Sequence, residues 1–189
     1  MMRIITGRAR GVKLTTLEGD ATRPTSERAK QAIFSMIRFQ LEGRRVLDLF
    51  AGSGQLGLEA VSGGAAHAVM VDQSKDAVKV ITKNVQNTRL AEDCTVICAE
   101  FSEFTRKYKG REPFDIVFLD PPYGMKAIPS AVEALMQAKL LKPHTLLICE
   151  SAEPLPLGKE TALGLAFDVV KEAKYGIAHV TVYTPKAQA

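Results

Sequence analysis

Residues 45–57 read RVLDLFAGSGQLG, an apolar run followed at once by Gly52, Gly54 and Gly57. A run of this length reads as a buried strand, and the G-x-G-x-x-G spacing reads as a tight turn from that strand into a helix. Glycine lets the backbone turn sharply and lets a ligand approach it closely. Asp72 lies twenty residues after Gly52, ending the next apolar run, AVMVD. A carboxylate there can accept both hydroxyls of a ribose, a task that neither packing nor a turn imposes. With Asp48 just before the loop, the pattern points to an adenosine-bearing cofactor. It does not by itself choose between a nicotinamide dinucleotide and S-adenosylmethionine.

Outward from this turn the chain keeps one rhythm. RVLDLF, AVMVD, CTVIC, FDIVFLD and TLLICE are short apolar runs of the kind found in parallel strands covered on both faces. QLGLEAVSG, SKDAVKVITKNVQNTRL, FSEFTRKYK and IPSAVEALMQAK lie between them with helical patterning. Alternation of this kind predicts an α/β fold with a doubly wound sheet. The tail departs from it: LAFDVVKEAKYG and IAHVTVYT form two runs around Gly176 with no helix between, which predicts an antiparallel hairpin. At the other end, RIIT and VKLTT flank GRARG and read as two short strands around a turn. In TRPTSERAKQAIFSMI, Pro24 stops extended structure, Thr25 or Ser26 is expected to cap a helix, and Ala29, Ile33 and Ile37 give it an apolar face.

Apolar residues make up 46% of the 189, enough to bury a full core. MMRIITGRARG lacks the apolar stretch of a secretory signal, and no run approaches the length of a membrane span. The expectation is a soluble, cytoplasmic protein with no membrane partner. Cys94, Cys98 and Cys149 each fall in an apolar run and are expected to be buried, free and not metal-ligating. Residues 1–30 hold seven Lys and Arg against three acids, whereas residues 31–189 hold eighteen of each sign. The whole surplus of +4 therefore precedes residue 31. A solvated surface and a phosphate-contacting arm are equal readings of that charge.

A second motif decides the chemistry. Asp120-Pro121-Pro122-Tyr123-Gly124 follows FDIVFL, at the C-terminal end of a predicted strand, where open α/β sheets bind ligands. Two prolines lack N–H donors and stiffen the turn. The Asp120 carboxylate and the Pro121 carbonyl can each accept one N–H of an exocyclic amine, while Tyr123 stacks on the base. That amine is a poor nucleophile, because its lone pair is delocalised into the ring. Two acceptors aimed at its hydrogens turn the lone pair toward a methyl donor and stabilise the charge that grows on nitrogen. Hydride transfer has no use for such a set, so S-adenosylmethionine is the expected cofactor.

LDLFAGSGQLGLEA with FLDPPYG resembles the class I methyltransferases that act on exocyclic amines. With GRARGVKL, TRPTSERAKQAIFSMI and AKYGIAHVTVY, the chain closely resembles, over nearly its whole length, the bacterial 16S rRNA guanine-N2 methyltransferase family. The resemblance implies a seven-stranded, mainly parallel, Rossmann-like sheet with a reversed last strand. It divides the chain into a basic hairpin-and-helix extension, residues 1–40, and a methyltransferase domain, residues 41–189. It places the cofactor on Asp48, Phe50, Gly52, Gly54 and Asp72, and catalysis on Asp120, Pro121, Pro122 and Tyr123. Glu100, in CAEF, stands in a shifted register near the position that reads the adenine, with backbone groups as the alternative reader. The implied substrate is a guanine of 16S rRNA or of the assembling 30S subunit, with Arg8, Arg10, Lys13 and Arg23 contacting phosphate. No metal is expected, and the protein is taken as a monomer. DNA adenine methylation shares DPPY but needs a target-recognition domain for which 189 residues leave little room.

Overall fold

The computed structural model describes residues 2–17, 24–122 and 127–187. Its strands are β1 (Arg45–Asp48), β2 (His67–Asp72), β3 (Cys94–Cys98), β4 (Phe114–Leu119), β5 (Leu141–Ser151), β6 (Phe167–Tyr175) and β7 (Ala178–Pro185). Its helices are α1 (Pro24–Ile37), α2 (Gln55–Ser62), α3 (Lys75–Thr88), α4 (Phe101–Tyr108), α5 (Ile128–Gln137) and the single turn α6 (Ala162–Leu165). The strands form one sheet in the order β3-β2-β1-β4-β5-β7-β6. β1 to β5 pair in parallel, and β7 runs antiparallel to both β5 and β6.

The apolar runs are continuous because both faces are covered. Val46, Ile116 and Phe118 face one cluster with α1, α2 and α3, while Leu47, Val117 and Leu119 face a second cluster with α4 and α5. Strand order reverses between β1 and β4, since the chain leaves β1 for β2 on one side and returns to β4 on the other. A crevice opens there, outside the carboxyl ends of the strands.

Three local expectations change. α1 starts at Pro24, so Thr25 and Ser26 fall within its first turn and not at the position before it; a proline at the first helical position suits an N–H that would be unpaired anyway. The N-terminal strands reduce to one antiparallel bridge, Arg3 with Lys13. Cys98 is exposed, because β3 is a sheet edge and the helices do not cover its end; all three cysteines are free. The C-terminal hairpin forms as read, with Gly176 at φ 64° in a two-residue turn closed by Tyr175 and Ala178.

The N-terminal arm is packed into the same core. Ile4, Ala9 and Leu14 are buried in one cluster with α1 and α2. Glu59 accepts hydrogen bonds from the N–H groups of Ile5 and Thr6, and Asn84 exchanges bonds with both backbone groups of Thr15.

Candidate active site

Two glycines bend the chain between β1 and α2 through left-handed backbone, Gly52 at φ 54° and Gly54 at φ 77°. Gly57 is required for another reason: a Cβ there would lie 2.6 Å from Met70 Cγ, so its absence lets α2 rest on β2. Two acids hold the loop. Asp72 accepts the Gly52 N–H at 2.8 Å and the Ser74 N–H at 2.8 Å. Asp48 accepts the Gly57 N–H at 3.1 Å.

The loop borders a cavity of about 440 Å³, within the roughly 300–1,000 Å³ of small-molecule sites. Phe50, Gly52, Asp72 and Glu100 line it from β1, β2 and β3; Asp120, Pro121 and Pro122 line it from β4. The two sequence motifs, about seventy residues apart, therefore meet in one crevice. Asp48 and Gly54 do not line it. Asp48 is 1% exposed and lies beneath the loop, where its second oxygen has no hydrogen-bond partner. Burial pushes its carboxyl up to about 7, against the lowering influence of the Gly57 N–H and the Lys30 charge.

Glu100 lines the cavity and also caps α4, accepting the Ser102 N–H at 2.8 Å. Phe101 packs its ring on Phe50, with centroids 5.9 Å apart, which gives the β3 side of the cavity an aromatic wall. Asp120 is partly buried, and loss of water raises its carboxyl well above the usual range. Glu150 adds repulsion: Leu119 pairs with Cys149, so Asp120 and Glu150 follow in step on neighbouring strands. Lys30 works the other way and favours the ionised form.

Tyr123 and Arg23 lie outside the described residues. Arg8, Arg10 and Lys13 are exposed on the arm, and Arg8 is paired with Asp93. Lys30, one of the seven N-terminal cations read as solvated surface or phosphate-contacting arm, is buried and lines the cavity beside Gln55. Its signal was present in the sequence: Lys30, Ile33, Phe34 and Ile37 follow i, i+3, i+4, i+7, which puts the lysine on the buried stripe. Among the described residues no group of His, Cys, Asp and Glu is placed to hold a metal, and no helix is long and apolar enough to cross a membrane.

A sheet of this order, with an antiparallel strand inserted between β5 and β6 and a glycine turn on β1, defines the class I methyltransferase fold, the S-adenosylmethionine-dependent class. The chain belongs to the family described as Conserved hypothetical protein 95, which matches residues 2–184. It is similar to the Bacillus subtilis protein YlbH, 32% identical over 183 residues covering 96% of this chain and 98% of that one. Ribosomal RNA small subunit methyltransferase D of Haemophilus influenzae is 34% identical over 157 residues, 82% of this chain and 81% of its own. The solved structure of Escherichia coli yhhF superposes with a TM-score of 0.84 at 29% identity, over 99% of both chains.

The cavity suits the cofactor of that class on its own chemistry. Asp72 keeps acceptor capacity beyond its two backbone bonds, as a ribose diol requires. A Cβ on Gly52 would meet no protein atom within 4 Å, so the room beside the loop is not taken by the protein.

Proposed function

We propose that this chain transfers a methyl group from S-adenosylmethionine to the exocyclic N2 amine of a guanine in 16S rRNA. The observation that carries the reading is the meeting of an acceptor-only turn, Asp120-Pro121-Pro122, with the Gly52 and Asp72 loop in one cavity. The bound cofactor supplies an electrophilic methyl group. Phe50, Gly52, Asp72 and Glu100 hold it, and Asp48 and Gly54 hold the loop in shape. Asp120 and the Pro121 carbonyl accept the two N–H groups of the amine and orient its lone pair. Asp120 also offsets positive charge on nitrogen, and water exclusion strengthens that effect. Tyr123 is assigned the stacking role from its place in the motif. The rRNA substrate is supported by relatives named ribosomal RNA small subunit methyltransferase D.

Labelled cofactor offered with 30S subunits lacking the modification, naked 16S rRNA and duplex DNA tests the reading. Label recovered as N2-methylguanine from rRNA is expected. Label recovered as N6-methyladenine from DNA would overturn it.

A further inference from the structure

We infer that Lys30 binds the α-carboxylate of S-adenosylmethionine, seating the amino-acid end of the cofactor between α1 and the first turn of α2. The inference rests on the cofactor site proposed above, but on observations outside its motifs. Lys30 is 9% exposed. Its ammonium donates one hydrogen bond, to Gln55 Oε1 at 2.7 Å, and none of the ion pairs among the described residues includes it. An ammonium has three N–H donors, of which Gln55 takes one; Asp48 and Asp120 act on its charge, but neither carboxylate stands within ion-pair distance. Among the described residues lining the cavity it is the only cation, facing a set that includes Asp72, Glu100 and Asp120.

Strand order fixes which end of the ligand reaches it. Asp72 ends β2 and Asp120 follows β4, with β1 and its glycine loop between them. Neighbouring strands lie about 4.8 Å apart, so the two carboxylates stand roughly 10 Å from each other along the sheet edge. A cofactor whose ribose meets Asp72 and whose methyl group faces Asp120 lays its amino-acid end over β1 and β4. Gln55, the first residue of α2, brings Lys30 to that end. The α-carboxylate is the only anionic group of the cofactor. The other charged groups among the described lining residues are the acids Asp72, Glu100 and Asp120, so it has one place to be neutralised.

Calorimetry with two probes tests this: S-adenosylmethionine and decarboxylated S-adenosylmethionine, which differ only in the carboxylate. The wild-type protein should bind the first about ten- to a hundredfold more tightly, the scale of charged hydrogen bonds. Lys30→Met should erase that preference by weakening the first probe alone, and Lys30→Arg should keep most of it. Asp72→Ala should weaken both probes equally. Equal weakening of both by Lys30→Met overturns the inference. So does a wild-type protein indifferent to the carboxylate, a result that depends on no variant folding. Unchanged binding with a displaced pH–rate profile would also overturn it, leaving Lys30 to act through Asp120 alone. A wild-type protein that binds neither probe removes the cofactor site itself, and the inference with it.

Discussion

After β1 the chain turns on glycines, and both acids at that turn accept backbone N–H groups; after β4 it turns on prolines, and its acid accepts none from the described residues. Asp72 takes the N–H groups of Gly52 and Ser74, and Asp48 takes that of Gly57. No hydrogen bond from a described residue reaches the Asp120 carboxylate. The first turn spends its acids on holding a shape that a ligand then reads. The second leaves its carboxylate unspent on the described residues, beside a like charge, Glu150. On the proposed reading one turn is a cradle and the other a poised acceptor, and substitutions should separate the two roles.

The largest effect should fall on the β4 turn. Asp120→Ala should lower turnover about a hundred- to a thousandfold while leaving cofactor affinity unchanged, since it removes one preorganised electrostatic partner. Steady-state kinetics at saturating RNA and calorimetry check the two halves of that statement. Asp120 must be ionised to accept, and its pKa is raised, so activity should climb with pH above the usual carboxylate range. Glu150→Gln removes repulsion and should move that climb to lower pH.

Asp48 tests the cradle through stability. Its carboxyl titrates near 7 when folded, against 3.8 as the ordinary value. Between those values the folded chain holds a proton that the unfolded chain has lost. Stability should therefore fall as pH rises from about 4 to about 7, by up to a few kcal/mol, and level off above. Thermal melts of Asp48→Asn should flatten that slope, leaving the share that Asp120, also raised by burial, contributes. A wild-type protein with flat melting temperatures across this range would contradict the burial of a charged group beneath the loop.

Asp72→Ala should weaken S-adenosylmethionine binding by about 1.5–3 kcal/mol, measured by calorimetry, with turnover at saturating cofactor largely kept. The loop loses its bond at Gly52 and the start of α3 its bond at Ser74, so a drop in melting temperature should accompany it. Equal damage to turnover at saturation would erase the contrast between the turns.

The smallest effect concerns the arm. Arg8 is tied to Asp93, so Arg10 and Lys13 are the stronger phosphate candidates. Neutralising both should flatten the slope of log K against log salt for RNA by up to about two units, with cofactor affinity unchanged. An unchanged slope would return them to an ordinary solvated surface.

Much of this was readable along the chain. The β2 and β4 runs and the glycine spacing are local signals, because a strand covered on both faces needs unbroken apolar residues and a left-handed turn needs glycine. Asp120 and Asp72 were legible because a carboxylate at the end of an apolar run has no packing role. The exposure of Cys98 was not legible because an apolar run does not say whether it is at a sheet edge; the N-terminal segments pair around their turn but only over one bridge, since the N–H groups of Ile5 and Thr6 go to a carboxylate on α2.

The sequence by itself determined the alternating architecture, the reversed strand at the end and the two turns that border the cavity, all of which follow from patterns within a few residues. Only the tertiary structure decided that Asp48 supports the loop from beneath instead of facing the cavity. Only it moved Lys30 from one of seven N-terminal charges to the one cation among the described residues that line the cavity. Both outcomes depend on which side chains a distant element excludes from water, and no spacing along the chain encodes that.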